Sequence, residues 1–276
     1  MKKLLQLYEL AGRILNIVVE YLVTSPRDFM SGTMYSYASG VLNTFTVIGA
    51  ALMSAFFVYG ILRNYSGFQE LRRPGAVLEL FIRLILSAAV LYYCRELLVM
   101  IMDVTQGLAM VLWQGSPYDS LMMVSDMPAE VSTVVGSLNI ITDFGTVLIF
   151  AISSFVILAS AVTVLLTVFG RFFRVYLHIA IAPIPLSTVS ARETEQIGLS
   201  FIKSYIGCCL EVALIMLSII LYAVFFHNNV DSLKLISDSA ENALVFNWIL
   251  SNTLHVLILA SIVKTCDNIT GRWLKV

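Results

Sequence analysis

Charged residues are scarce in this 276-residue chain. They make up 13% of it while 59% is hydrophobic, against roughly 25% charged and 45–50% apolar in a soluble domain. A soluble globule and a disordered chain are both excluded, which leaves a membrane protein. An excess of either sign is missing too. Seventeen Lys and Arg face 18 Asp and Glu, for a formal charge of −1, so no basic surface announces nucleic acid as a partner. The four cysteines, Cys94, Cys208, Cys209 and Cys266, lie in or beside apolar stretches, without a Cys-x-x-Cys pair or a His at ligand spacing. Neither a disulfide framework nor a zinc site is in view. Phosphate loops, the His-Glu-x-x-His helix and nucleophile elbows are absent from the sequence as well. The expectation is a non-enzyme without cofactor, catalytic residues or metal ligands.

What is present is apolar length. Lys2 and Lys3 ahead of leucines imitate a secretion signal, but Glu9, Gly12, Arg13 and Asn16 interrupt each candidate apolar core, and the N-terminus is expected to be retained. From Leu4 to Leu22 apolar residues recur at helical spacing, with Glu9, Arg13, Asn16 and Glu20 mostly elsewhere. That pattern predicts an amphipathic helix lying along the membrane or against a partner. Residues 1–40 thus comprise this helix and a Ser-, Gly- and Tyr-rich entry segment. A spanning helix takes about 20 mostly apolar residues, and five stretches qualify: Val41–Leu62, Leu78–Met102, Phe144–Gly170, Lys203–Phe226 and Leu244–Val263. Small residues in the first of them, such as Gly49, Ala50, Ala51, Ser54 and Ala55, allow close helix approach. The fold class is therefore all-α and polytopic. Residues 41–102 hold two spans and a basic cytoplasmic loop, and 103–143 an outer acidic, Met-rich loop. Residues 144–276 hold the other three spans. The outer loop's apolar string from Leu121 to Ile141 predicts either a lid on the protein's own surface or a docking face for another subunit.

The segment Arg171–Ser190 is apolar but interrupted. From Arg174 to Pro183 a helix would rise about 14 Å, half of a hydrocarbon core of roughly 30 Å. Pro183 and Pro185 remove two amide donors and bias Ala182 and Ile184 away from helical angles. The broken-helix set Ala182, Pro183, Ile184 and Pro185 therefore predicts a re-entrant segment over residues 171–190. Charge placement agrees. If the segment does not cross, one side carries Arg63, Arg72, Arg73, Arg83, Arg171, Arg174, Arg192, Lys203, Lys264, Arg272 and Lys275, eleven residues in all. The other side carries five: Lys2, Lys3, Arg13, Arg27 and Lys234. Short cytoplasmic loops collect Lys and Arg, so the expected topology is an outside N-terminus and a cytoplasmic C-terminus in the cell membrane.

Ionisable groups at membrane depth are functional candidates by default. Arg95, Glu96, Glu211 and His255 qualify. Counting along the helices puts Arg95 and Glu211 at similar depth, which predicts a pair between them; a proton or ion relay and the lining of a polar passage are the other readings. Glu79 and Arg83 form an i, i+4 pair. Arg171, Arg174, Arg192 and Lys203 form a basic cytoplasmic mouth that serves either as ordinary positive-inside anchoring or as a seat for a polyanion or an acidic protein surface.

The stretch RFFRVYLHIAIAPIPLS (171–187), followed by GLSFIKSYIGCCLE (198–211), resembles the TrbL-like family, the polytopic inner-membrane channel components of type IV secretion systems, in the version found in conjugative elements of Gram-positive bacteria. The resemblance implies a channel or scaffold subunit that helps DNA or protein cross the membrane. Its implied partners are the lipid bilayer, secretion ATPases, other membrane subunits, copies of itself and, transiently, the transferred DNA–protein substrate. It carries over onto Arg171, Arg174, Pro183, Pro185, Lys203 and Glu211 as motif positions. The alternative is an ion-coupled secondary transporter using the midplane Glu211 and the broken helix.

Overall fold

Backbone N–H and C=O groups in lipid must find partners within the segment that carries them, and the long apolar runs of this chain accordingly fold as helices. The computed structural model describes residues 2–64, 74–116, 144–229 and 243–273. Its helices are α1 (Lys2–Val23), α2 (Thr33–Asn64), α3 (Pro74–Tyr92), α4 (Cys94–Gln114), α5 (Phe144–Ile181), α6 (Pro183–Ser187), α7 (Glu195–Asn229) and α8 (Ala243–Trp273). Short 3-10 turns occupy Phe29–Gly32 and Thr188–Ser190. No strand occurs among the described residues. Five stretches among them are long and apolar enough to cross a membrane: Phe29–Arg63, Cys94–Gln114, Phe144–Ile181, Glu195–Phe225 and Val245–Cys266. The chain is an all-α, multi-pass membrane protein.

Two boundaries differ from expectation. The run Leu78–Met102 is not one helix, because α3 ends at Tyr92 and α4 begins at Cys94. Tyr92 and Tyr93 are exposed at this break, and Arg95 and Glu96 follow at once, side chains that suit a membrane–water interface. The apolar window moves to α4, and Val104–Trp113, which could also be read as a continuation of the second span, is helix. The apolar string from Leu121 to Ile141 and the bases Arg72 and Arg73 lie outside the described residues. The entry segment is helical from Thr33. Just before it Met30, Ser31 and Gly32 turn the chain with φ of 49°, 59° and 74°, which costs the two non-glycine residues roughly 1–2 kcal/mol each.

The described chain forms two compact units. One comprises Met1–Val23, Leu108–Gly170 and Ala213–Asn268; the other comprises Thr24–Gly107, Arg171–Val212 and Ile269–Val276. In the first, the apolar stripe of α1 is buried at Tyr8, Ala11, Leu15, Val18 and Leu22, while Glu9, Arg13 and Glu20 face outward. Tyr8 stacks on Trp248 of α8 at 5.2 Å between ring centroids, and Tyr21 meets Phe169 of α5 at 5.4 Å. The amphipathic helix therefore packs on its own chain. Burial raises the Tyr8 phenol well above its usual range. His255, expected at mid-depth, is buried here, with its Nδ1 2.8 Å from the Tyr222 hydroxyl.

Candidate functional site

The second unit contains the proline-broken corner. Nothing from Arg171 to Ile181 lacks an amide donor, so α5 continues through Arg171 and Arg174 and stops only ahead of Pro183. There α6 starts with Pro183 at its first position, where an N–H would have no intrahelical partner in any case. Pro185 also falls in that first turn. Ala182 and Ile184 therefore do not leave helical angles as the prolines predicted. Ala182 holds φ −51° and ψ −39°, Ile184 lies inside α6, and the Leu186 amide donates to the Ala182 carbonyl at 3.1 Å. The separate re-entrant segment expected over residues 171–190 is thus the end of α5 followed by a tight corner. Beyond it α7 returns antiparallel to α5: Arg174 meets Glu211, and His178 meets Phe201 and Ser204.

A five-residue helix leaves its last carbonyls without amide partners, and hydroxyls supply the donors. Ser187 Oγ donates to the Ile184 carbonyl at 2.6 Å, Thr188 Oγ1 to Pro185 at 2.7 Å, and Thr194 Oγ1 to Thr188 at 2.7 Å. Ser190 Oγ lies 3.0 Å from the Ser187 carbonyl and 3.1 Å from that of Met53 in α2. Three glycines let neighbouring backbone close on the corner. A Cβ at Gly49 would stand 2.7 Å from the Pro183 carbonyl oxygen, one at Gly60 3.1 Å from the Ala191 Cβ, and one at Gly198 3.0 Å from the Pro185 carbonyl oxygen. Gly60 and Gly198 were not anticipated. Their signal is a glycine inside an otherwise helical run, where it is disfavoured unless something approaches closely.

The charged groups divide differently from the expectation. Glu211, 2% exposed, pairs with Arg174 Nη2 at 2.8 Å, and Arg174 is 39% exposed. The expected pair between Arg95 and Glu211 does not form: Arg95 and Glu96 are exposed at the start of α4, because the break at Tyr93 puts them at a helix end. Arg83 likewise pairs with Glu195 at 3.1 Å and not with Glu79. The basic mouth also separates. Arg192 and Lys203 are exposed, but Arg171 is 1% exposed, with its guanidinium 5.3 Å over the Phe172 ring and no hydrogen-bond partner at Nε or Nη1. Phe172 in turn stacks on Phe29 at 4.2 Å. Buried phenols brace the same region, Tyr176 donating to the Pro26 carbonyl at 2.7 Å and Tyr205 to that of Leu98 at 2.9 Å.

This arrangement can fix a sharp corner between antiparallel helices and, about two turns earlier along α5, hold an ion pair between Arg174 and the buried Glu211. Among the described residues no cluster of His, Cys, Asp and Glu is placed to bind a metal ion. Neither a family model, nor a curated protein, nor a solved structure matches the chain.

Proposed function

We propose that the chain is a non-enzymatic integral subunit of a type IV secretion or conjugation machine, serving as channel wall or scaffold for DNA or protein crossing the cell membrane. One observation carries the reading: residues behind the TrbL-like resemblance form the turn between α5 and α7 and pair those two helices. Pro183 and Pro185 start α6, Glu211 of α7 anchors Arg174 of α5, and Arg171 is buried one turn before Arg174. Energy then comes from separate ATPases. The eleven-to-five division of bases supports an outside N-terminus and a cytoplasmic C-terminus. In that orientation the exposed Arg192 and Lys203 are left to meet an acidic ATPase surface or a polyanion. Other membrane subunits, further copies of the chain and the bilayer complete its surroundings.

Conjugative transfer frequency tests the proposal, measured beside membrane abundance of each variant. Deleting the chain should abolish transfer. Glu211→Gln, which keeps a carbonyl acceptor for Arg174, should preserve transfer wherever the protein accumulates normally, and Lys203→Glu should lower it at unchanged abundance. Wild-type transfer in the deletion strain overturns the secretion reading. Selective loss with Glu211→Gln at normal abundance would instead indicate a proton or cation bound by that carboxylate in each cycle, as the transporter alternative requires.

A further inference from the structure

Within the first unit α1 is pinned at two points along its length, Tyr8 on Trp248 and Tyr21 on Phe169. Trp248 stands three residues into the span Val245–Cys266, about 5 Å from its start, whereas Phe169 stands 25 residues into Phe144–Ile181, about 38 Å from its start. As the third and fifth of five crossings, those two helices run in the same direction. The two contacts therefore lie at different depths of a hydrocarbon core of roughly 30 Å. Between Tyr8 and Tyr21 α1 rises about 20 Å, and it rises along the bundle; a helix lying flat on the membrane would meet both partners at one depth.

That inclination carries the polar side of α1 to membrane depth. Gln6, Glu9, Arg13, Asn16 and Glu20 recur at helical spacing on the side opposite the buried stripe and are exposed. Glu9 and Arg13 pair at 3.5 Å with side chains 58% and 72% exposed. Acyl chains do not suit them, since charges at this depth are kept against protein or a water-filled cavity. In the same unit α5 exposes Leu148, Ile152, Phe155 and Leu166 instead, which marks where lipid runs. A second copy in the same membrane carries Glu9 and Arg13 at the same depth, so apposed α1 faces would set like charges level with each other. Water is the neighbour that fits. Resting on the channel reading above, we propose that the outward face of α1 lines a water-filled passage through the membrane.

The four native cysteines are buried, so the wild-type chain is the blank for Glu9→Cys, Arg13→Cys and Asn16→Cys on this face and for Ile152→Cys and Phe155→Cys on the lipid side of α5. Isolated membranes holding the full-length chain are treated with a small, charged methanethiosulfonate and, separately, with a bulky polyethylene-glycol maleimide. Only a thiolate reacts, and lipid keeps a thiol protonated, so cysteines at 9, 13 and 16 should react with the small reagent at least about tenfold faster than those at 152 and 155. The bulky reagent should fail at 13 and 16, where a passage is too narrow for it. Asn16 stands outside the pair of Glu9 and Arg13 and keeps the test if breaking that pair lowers abundance. Reaction of 13 and 16 with both reagents would put α1 on the open membrane surface and overturn the proposal. Protection from both would mean that lipid or another protein covers the face, which overturns it equally. Transfer frequency separates this outcome from the channel reading: wild-type transfer in the deletion strain sinks the secretion role and leaves the passage, whereas loss of transfer there with 13 and 16 protected does the reverse.

Discussion

Replacing Gly49 with alanine tests the corner most directly. In α2 this residue passes so close to α6 that a Cβ would lie 2.7 Å from the Pro183 carbonyl oxygen, 3.0 Å from the Pro183 Cβ and 3.1 Å from its carbonyl carbon. Ordinary contact begins at 3.4 Å, and two of the three opposing atoms are backbone, so a helix has to move. Moving α2 also stretches the Ser190 bond to the Met53 carbonyl, now 3.1 Å. Overpacking of this kind costs about 1–3 kcal/mol, set against a helix-propensity gain of roughly 0.5–1 kcal/mol for glycine to alanine. The net is a loss of about 0–2.5 kcal/mol, or up to roughly 5 °C in melting temperature at about 2 °C per kcal/mol for a chain of this size. Gly40, in the same helix, has nothing within 4 Å of its would-be Cβ, so Gly40→Ala should keep the propensity gain and melt about 1–3 °C higher. The readout is built into the protein. All four cysteines are buried, and a thiol-reactive dye followed through a temperature ramp in detergent reports their exposure. A Gly49→Ala midpoint above wild type would refute the close approach of α2 to Pro183.

The same melting assay measures the ion pair. In a double-mutant cycle Arg174→Met and Glu211→Gln should show a coupling of about 1–2 kcal/mol, below the 3–5 kcal/mol for breaking a fully buried pair because Arg174 is partly solvated. Arg95→Met and Glu211→Gln should add within about 0.5 kcal/mol; coupling there and none at Arg174 would reverse the assignment. For topology, single cysteines at Ser116 and Gln196 in a background lacking Cys94, Cys208, Cys209 and Cys266 should react with an impermeant thiol reagent from outside at 116 only. Ser190 is unsuitable as a probe because it is buried. Labelling of position 196 in intact cells would invert the proposed orientation.

Residues whose environment is set by their own helix were legible in advance; those set by a neighbouring helix were not. The buried stripe Tyr8, Ala11, Leu15, Val18 and Leu22 follows from a period of 3.6, and four of the five spans follow from apolar length. Trp248 as the partner of that stripe was invisible, since nothing local to α1 names it. Depth counting failed at Arg95 because it assumed one straight helix from Leu78. No glycine or proline marks the break at Tyr93, and the local signs of an interface were the adjacent tyrosines and the charges of Arg95 and Glu96. Pro183 and Pro185 announced a break correctly, yet their local cost was overstated. A proline penalises the interior of a helix and not its first turn, and the start of α6 depends on what packs around it. Gly49 was read as a small residue that permits close approach, whereas the structure identifies what approaches, the Pro183 carbonyl.

Arg171 changes the functional argument most. As part of an exposed mouth it would greet a polyanion, but a side chain 1% exposed cannot. Its guanidinium lies over the Phe172 ring and within electrostatic reach of Glu211, while Glu211 is already bonded to Arg174, three residues further along α5. Arg171 enters none of the ion pairs among the described residues, and the π face of Phe172 offsets part of the cost of its burial. Protonating Glu211 would weaken its 2.8 Å pairing with Arg174, a cost limited by the partial solvation of that guanidinium. A carboxylate that binds and releases a proton in every transport cycle has to cross that state each time; one that only anchors Arg174 never does. Under the proposed scaffold reading Glu211 is a structural anion that holds Arg174. Of the four bases expected at the mouth, Arg192 and Lys203 are the exposed ones, and charge reversal at the buried Arg171 should act through folding and abundance before it acts through docking.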